Sequence, residues 1–156
     1  MAPWADILYA CDGPWWERYF DEAFRTCTGE FWTVDRLAHL TYGLHLIDGS
    51  SSPGLGKDGT IHFGANSGYQ AINLAYLFGA TRIVLLGFDM QRTGGKTHWH
   101  GDHPGPLNRD CPVRSFLKNF PALARDLADA GVEVINATRE TALECFPKQR
   151  LEDALC

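Results

Sequence analysis

The sequence predicts an α/β fold, a three-layer sandwich with a mostly parallel sheet. Helix-like and strand-like segments alternate along the chain, the pattern of strands joined through crossover helices. Ile83-Val84-Leu85-Leu86-Gly87 is a continuous apolar run, as expected of a strand covered on both faces in a parallel sheet. Polar, glycine-rich turns follow several of the strands, where such sheets bind ligands. With 156 residues and 17.4 kDa, one domain over 1–156 is expected.

The elements follow in order. A first strand is predicted over 6–11, bounded by Asp12-Gly13-Pro14. Residues 15–24 read as a helix with aromatic positions 16, 19, 20 and 24 on one side and Pro14 suited to its first turn. Short strands are predicted at 31–33 and 44–47. The stretch 48–60 is turn chemistry throughout and reads as an exposed loop. Gly64-Ala65-Asn66-Ser67-Gly68 opens a helix whose apolar stripe runs through Ala71, Leu74, Ala75 and Phe78, with Gly79 past its end. The apolar strand comes next, then a histidine-rich loop and a helix carrying Phe116, Phe120, Leu123, Ala124 and Leu127 on one face. Residues 132–136 form the last strand, and the tail from Thr138 reads as a short helix followed by a docking segment.

Composition narrows the function classes. Hydrophobic residues make up 45% and charged residues 21%, with a net charge of -5 and a pI near 5.6, the balance of a globular protein. No apolar run reaches the roughly 18 residues of a membrane span, and the start of the chain shows no signal-peptide pattern. The acidic balance argues against non-specific nucleic-acid binding. Five widely spaced cysteines without a C-x-x-C pair suit a reduced, cytosolic protein with buried thiols.

Asp12, Gly64 to Gly68, Asp89 and Asn136-Ala137-Thr138 all follow predicted strands, so parallel strands bring them to one rim. The glycine turn admits two readings. Its amides and helix dipole suit a phosphate, with Asn66 and Ser67 adding hydrogen bonds, or Asn66 or Ser67 simply caps the helix. Without Gly-Lys-Ser/Thr it is not a P-loop.

Three of the six histidines fall between His98 and His103. His98, His100, Asp102 and His103 spell His-x-His-x-Asp-His, the first metal motif of the metallo-β-lactamase fold, able to hold zinc and activate water. No histidine follows His103 to complete that ligand set. Alternatively His103 serves as a general base, with Arg92, Lys96 and Arg109 neutralising a phosphate or diphosphate, or the loop is structural. Trp99 either stacks on a base or sugar or anchors the loop, and His39, His45 and His62 read as structural.

The run from Gly64 to Met90 resembles the signature of the 6-hydroxymethylpterin diphosphokinase-like proteins. Those share a Rossmann-like core with motility accessory proteins and with bacterial sialyltransferases of glycosyltransferase family 42. The matching features are Ser67-Gly68 opening a helix, the strand from Ile83 to Leu86, and Gly87-Phe88-Asp89 at its end. The opening Ala5 to Trp16, the His-Trp-His-Gly-Asp-His-Pro loop and the ending Asn136 to Pro147 also resemble a group of small phage and prophage proteins of unassigned function.

The resemblance implies a Rossmann-like nucleotide- or nucleotide-sugar-binding protein of transferase descent. Asn66, Ser67 and Gly68 would contact the ligand, His103 would be the base, and Asp89 would orient the acceptor or a divalent ion. Asp12, Lys96, His98, His100 and Asn108 are further ligand-contact candidates. A non-catalytic protein that sequesters a nucleotide-like ligand or a host protein is the alternative. The enzyme families begin with an extra strand and a Gly-x-x-Pro-Ser turn, so the resemblance implies a core lacking their first strand. An unpaired edge of that kind favours a homodimer.

Overall fold

The computed structural model describes residues 2–94, 107 and 112–155. Ile7–Tyr9 form strand β1, and Pro14 in the first turn of helix α1 (Gly13–Thr26) carries the chain directly into helix. Trp16 and Ala23 are buried along α1, whereas Phe24, expected on the same side, is 69% exposed. β2 (Glu30–Thr33) pairs with β1 in parallel, Leu8 opposite Phe31. Helix α2 (Arg36–Tyr42) is capped by the Asp35 carboxylate, which accepts from the Ala38 N–H at 2.8 Å. β3 (His45–Leu46) then joins β2, again in parallel. Leu8, Ala10 and Phe31 pack with Trp16, Phe20 and Leu44 in one apolar cluster. Fully buried Trp16 ties it together by donating its indole N–H to the Ala10 carbonyl at 3.0 Å.

β4 (Asp48–Ser50) follows β3 with only Ile47 between, and pairs in parallel with β5 (Thr60–His62). Ile47 donates its N–H to Thr33, and Ser50 accepts from Phe63. The run 45–50 is therefore edged by β2 along its first half and by β5 along its second. This corrects the expected exposed loop over 48–60: part of it is strand, and Gly54, Leu55 and Gly56 are buried. The interior accepts a loop here because side chains satisfy its backbone. Asn73 Oδ1 accepts from the N–H groups of Gly56 and His62 at 2.7 and 3.2 Å. Asp126 Oδ2 accepts from Leu55 N–H at 3.0 Å, and the Tyr69 hydroxyl donates to the Gly54 carbonyl at 2.8 Å.

Helix α3 (Ser67–Leu77) buries Tyr69, Gln70, Ile72, Asn73 and Leu74. The predicted stripe is thus rotated, with Ala71 exposed and Phe78 48% exposed. Hydropathy assigns Gln70 and Asn73 to the surface, but both are held inside by hydrogen bonds. Gln70 donates to the Phe63 carbonyl at 3.0 Å and accepts from the Tyr9 hydroxyl at 2.6 Å. As expected, the chain leaves the helix at Gly79, in the left-handed region at φ 86°.

β6 (Arg82–Leu85) and β7 (Glu133–Asn136) pair in parallel. Alternation splits their side chains between two clusters. Ile83, Leu85 and Val134 join Tyr69, Ile72 and the fully buried Phe120, Leu123 and Leu127, while Val84 and Ile135 meet Ala154 of α6 (Leu151–Ala154). Leu86, past the end of β6, is 56% exposed. The single helix expected around Phe116 to Leu127 is two, α4 (Val113–Leu117) and α5 (Phe120–Asp129). Pro121 lacks the N–H that would continue the preceding turn, so a new helix starts there. In the tail, the order is the reverse of that expected: Lys148 bridges to Asn136 beside β7 before the closing helix α6.

The fold is mixed α/β; among the described residues the strands are short, every pairing is parallel, and they form a three-stranded and two two-stranded sheets. Among the described residues no helix is long and apolar enough to cross a membrane.

Candidate functional site

The ends of β1 and β6 meet the first turn of α3. Gly64 turns the chain at φ 53°, where a side chain is disfavoured and a Cβ would lie 2.3 Å from the Tyr69 ring. Asn66 then caps the helix, its Oδ1 accepting from Tyr69 N–H at 3.1 Å. The capping alternative for the glycine turn therefore describes what the Asn66 side chain does. Asn119 donates to the Gly64 carbonyl at 2.8 Å and pins the turn from α5's side. Among the described residues the amides of Ser67 and Gly68 make no hydrogen bond, and Ser67 is exposed.

Cys11, just past β1, has its sulfur 3.2 Å from Ser67 Oγ and donates to Asp12 Oδ2 at 3.4 Å. On the other flank Phe88 packs so closely that a Cβ on Gly68 would lie 2.7 Å from its ring. Phe88 is in turn locked to the end of β7. Its N–H donates to Thr138 Oγ1 at 2.9 Å, and its carbonyl accepts from Thr141 Oγ1 at 2.6 Å. Fully buried Asn136 holds that segment, accepting from Thr138 N–H at 3.1 Å and donating to the Leu143 carbonyl at 3.3 Å.

Beyond the ends of β6 and β7 lies an open groove of about 1020 Å³. Asp89 and Thr138 line it near the strand ends, Lys148 and Arg150 line it from the tail, and Leu86 and Leu151 give it apolar patches. Asp89 is half engaged, its Oδ2 accepting from Thr93 Oγ1 at 3.1 Å and its carbonyl from Ala142 N–H at 2.9 Å. Lys148 donates to the Thr141 carbonyl at 3.2 Å. A groove of both signs, with a glycine and an alanine beside Asp89 and Thr138, suits a hydroxylated or zwitterionic molecule better than a bare ion.

The predicted site residues therefore divide. Asp12, Asn66, Ser67 and Gly68 gather at the α3 turn, Asp89 and Thr138 at the groove, and Phe88 stands between the two sets. Lys96, His98, His100, Asp102, His103, Asn108, Arg109, Trp99 and Cys111 lie outside the described residues. Among the described residues no group of histidines, cysteines and carboxylates could hold a metal ion. Sequence reasoning missed Cys11 and the tail residues Lys148 and Arg150. For Cys11 the signal was present, since it closes the strand predicted over 6–11. The tail residues gave none, because only the bridge beside β7 brings them to the groove.

Burial dominates the ionisation of this region. It pushes the Cys11 thiol up to about 11, the Ser67 hydrogen bond opposing and the Asp12 charge adding to the effect. Burial likewise takes Cys145 up to about 11. It raises Tyr9, with the charges of Cys11 and Asp12 contributing, and it raises Tyr69. Cys11 is thus a neutral thiol near pH 7 and no ready nucleophile. The fold favours the protonated thiols, so their stabilising effect is complete below the ordinary value of 9.0 and is lost as pH rises through about 11. The midpoint of thermal unfolding is expected to fall between those values, and to fall less steeply in Cys145→Ala. An unchanged midpoint across the window would contradict the assignment. Comparison with protein-family models, curated proteins and solved structures gives no match for this chain.

Proposed function

We propose that the chain is a nucleotide- or nucleotide-sugar-binding protein with a Rossmann-like core, descended from transferases. The observation that carries this reading is the convergence of the ends of β1 and β6 on one helix turn. Cys11 and Phe88 flank Ser67 and Gly68, whose amides have no acceptor among the described residues. A diphosphate there would accept from both amides and gain from the helix dipole. The adjoining groove would take the sugar or the acceptor, with Asp89 orienting a hydroxyl or a divalent ion. In the catalytic form His103 removes the acceptor hydroxyl proton, and the oxygen attacks the anomeric carbon. The bond from that carbon to the phosphate oxygen breaks, and its electron pair leaves with the nucleotide.

Calorimetry against CMP, UDP and CMP-sialic acid tests the binding step. Binding of at least one, weakened about tenfold or more in Gly68→Ala, is expected: the new Cβ would lie 2.7 Å from the Phe88 ring and push the amide off its acceptor, and hydrogen bonds to a charged group are worth about 1.5–3 kcal/mol. No binding by the unsubstituted protein would end the proposal.

A second reading has its own support. Asn66 is spent on its cap and Cys11 is held neutral, which fits binding without turnover. Repeated release of nucleotide from the sugar donor, abolished in His103→Ala, would select the enzyme. Stoichiometric binding with no release would select the sequestering protein.

A further inference from the structure

Helices α1 and α2 lie side by side and run in the same direction. At their starts Asp35, the N-cap of α2, comes so close to Gly13 that a Cβ there would lie 2.8 Å from its Oδ2. Two turns further along both helices, Phe20 stacks on Tyr42 with ring centroids 4.6 Å apart. Between the helices runs a groove of about 390 Å³. Pro14 and Glu17 line it from α1, and Leu37, Ala38, Thr41 and Tyr42 from α2. Its charged lining residues among those described are Glu17 and Asp35, both acidic. Asp35 Oδ1 accepts from the Ala38 N–H, whereas Glu17 is exposed and makes no ion pair among the described residues.

The outer side of α2 is apolar where a solvated helix face is normally polar. Leu37 and Leu40, neighbours at i, i+3, are 74% and 77% exposed. Leu37 borders the groove, and Leu40 stands outside it as a ridge. Arg36, one turn before Leu40, is exposed and pairs with equally exposed Asp48 at 2.9 Å. Past the groove, exposed Phe24 stacks on Phe20 at 5.7 Å and continues the apolar surface. Scattered exposed leucines need no explanation, but a contiguous patch with a groove in it marks an interaction surface.

We infer that this patch is a homodimer interface, with α2 of a second copy packed antiparallel on α2 across a two-fold axis. A two-fold contact has to be self-complementary, each surface offering what the other accepts. The patch meets that condition in shape, with a leucine ridge beside a groove, and in charge, with a base on the ridge and acids in the groove. Leu40 of each copy enters the groove of the other, against Pro14, Leu37 and Thr41. The antiparallel setting carries Arg36 of the second copy towards the Tyr42 end of the groove, so that it meets Glu17 rather than Asp35. Arg36 thereby exchanges an exposed pair of little worth for one in a drier contact. The occupant is a second copy because the chain itself carries the ridge that its groove fits. The inference uses no residue of the nucleotide site and does not depend on that reading.

Sedimentation velocity of the full chain in reducing buffer, across a wide range of concentration, tests it. The mass is expected to rise from 17.4 kDa to twice that value. Leu40→Asp should weaken association about a hundredfold or more, since each dimer loses two buried leucines. Its thermal midpoint at the lowest concentration should match that of the parent, because Leu40 is exposed in the monomer. Glu17→Lys and Arg36→Glu should each weaken association by about tenfold or more, through like charges at both symmetric contacts. Mixed in equal amounts, these two variants should associate again as a heterodimer, because both contacts then pair opposite charges. A 17.4 kDa species at every concentration would overturn the inference. So would a dimer that Leu40→Asp leaves intact, charge variants that associate like the parent, or a mixture of the two that stays monomeric.

Discussion

Trp16→Ala is expected to destabilise the protein by about 3–5 kcal/mol, the range for truncating a fully buried large aromatic. Trp16 has no exposed surface and sits edge-on to Trp15, with ring centroids 5.0 Å apart, and beside Phe31 at 5.9 Å. Its loss removes the centre of the cluster that holds α1 and α2 on β1 and β2, and leaves the Ala10 carbonyl without its indole donor. Domains of this size have about 5–15 kcal/mol in all, so the variant should approach the unfolded state. Trp16→Phe separates the two causes, since it keeps most of the apolar contact and loses only the hydrogen bond. A smaller loss of about 1–3 kcal/mol is expected for it. Urea denaturation followed by circular dichroism measures both, and equal midpoints for Trp16→Ala and the unsubstituted protein would refute the packing argument.

Asn73→Leu is expected to cost as much through a different mechanism. The substitution keeps the γ-branched shape and adds apolar surface, so a hydrophobic ledger alone would favour it. Asn73 is fully buried, however, and its one oxygen satisfies the N–H groups of both Gly56 and His62. Each orphaned buried donor costs about 1–3 kcal/mol. The leucine variant should therefore lose about 2–6 kcal/mol, and its loop at Gly54–Gly56 should open first. Exchange at the Gly56 and Leu55 amides reports that opening directly. A leucine variant as stable as the parent would show that the loop has other partners.

These two residues show how unevenly the fold could be read. Trp16 was legible because an aromatic repeat on a helix predicts burial from spacing alone. Asn73 was not, because hydropathy treats an asparagine as surface and the groups it satisfies belong to a loop and a strand 17 and 11 residues away. The same blindness rotated the predicted face of α3 and turned the buried Gly54–Gly56 segment into an exposed loop. The break between α4 and α5 had a signal in Pro121, outweighed by the apolar stripe running through it. In the candidate site, the positions of Asp12, Asn66, Ser67 and Asp89 after strands were legible, since chain order and parallel pairing place such residues. The partition of those residues by Phe88 was not, because it depends on Thr138 and Thr141 from a segment some fifty residues away.

The sequence by itself determined the α/β class, the parallel strand β6 with both faces covered, the Asn66 cap and the glycine ending of α3. Each is local: it follows from spacing, from capping chemistry or from the conformational freedom of one glycine. Only the tertiary structure decided which polar side chains lie inside, how the strands pair, and that the tail from Lys148 walls the groove beside Asp89. Those features are hydrogen bonds and contacts between distant segments. Their energies depend on where the whole chain packs, and no window of sequence contains both partners.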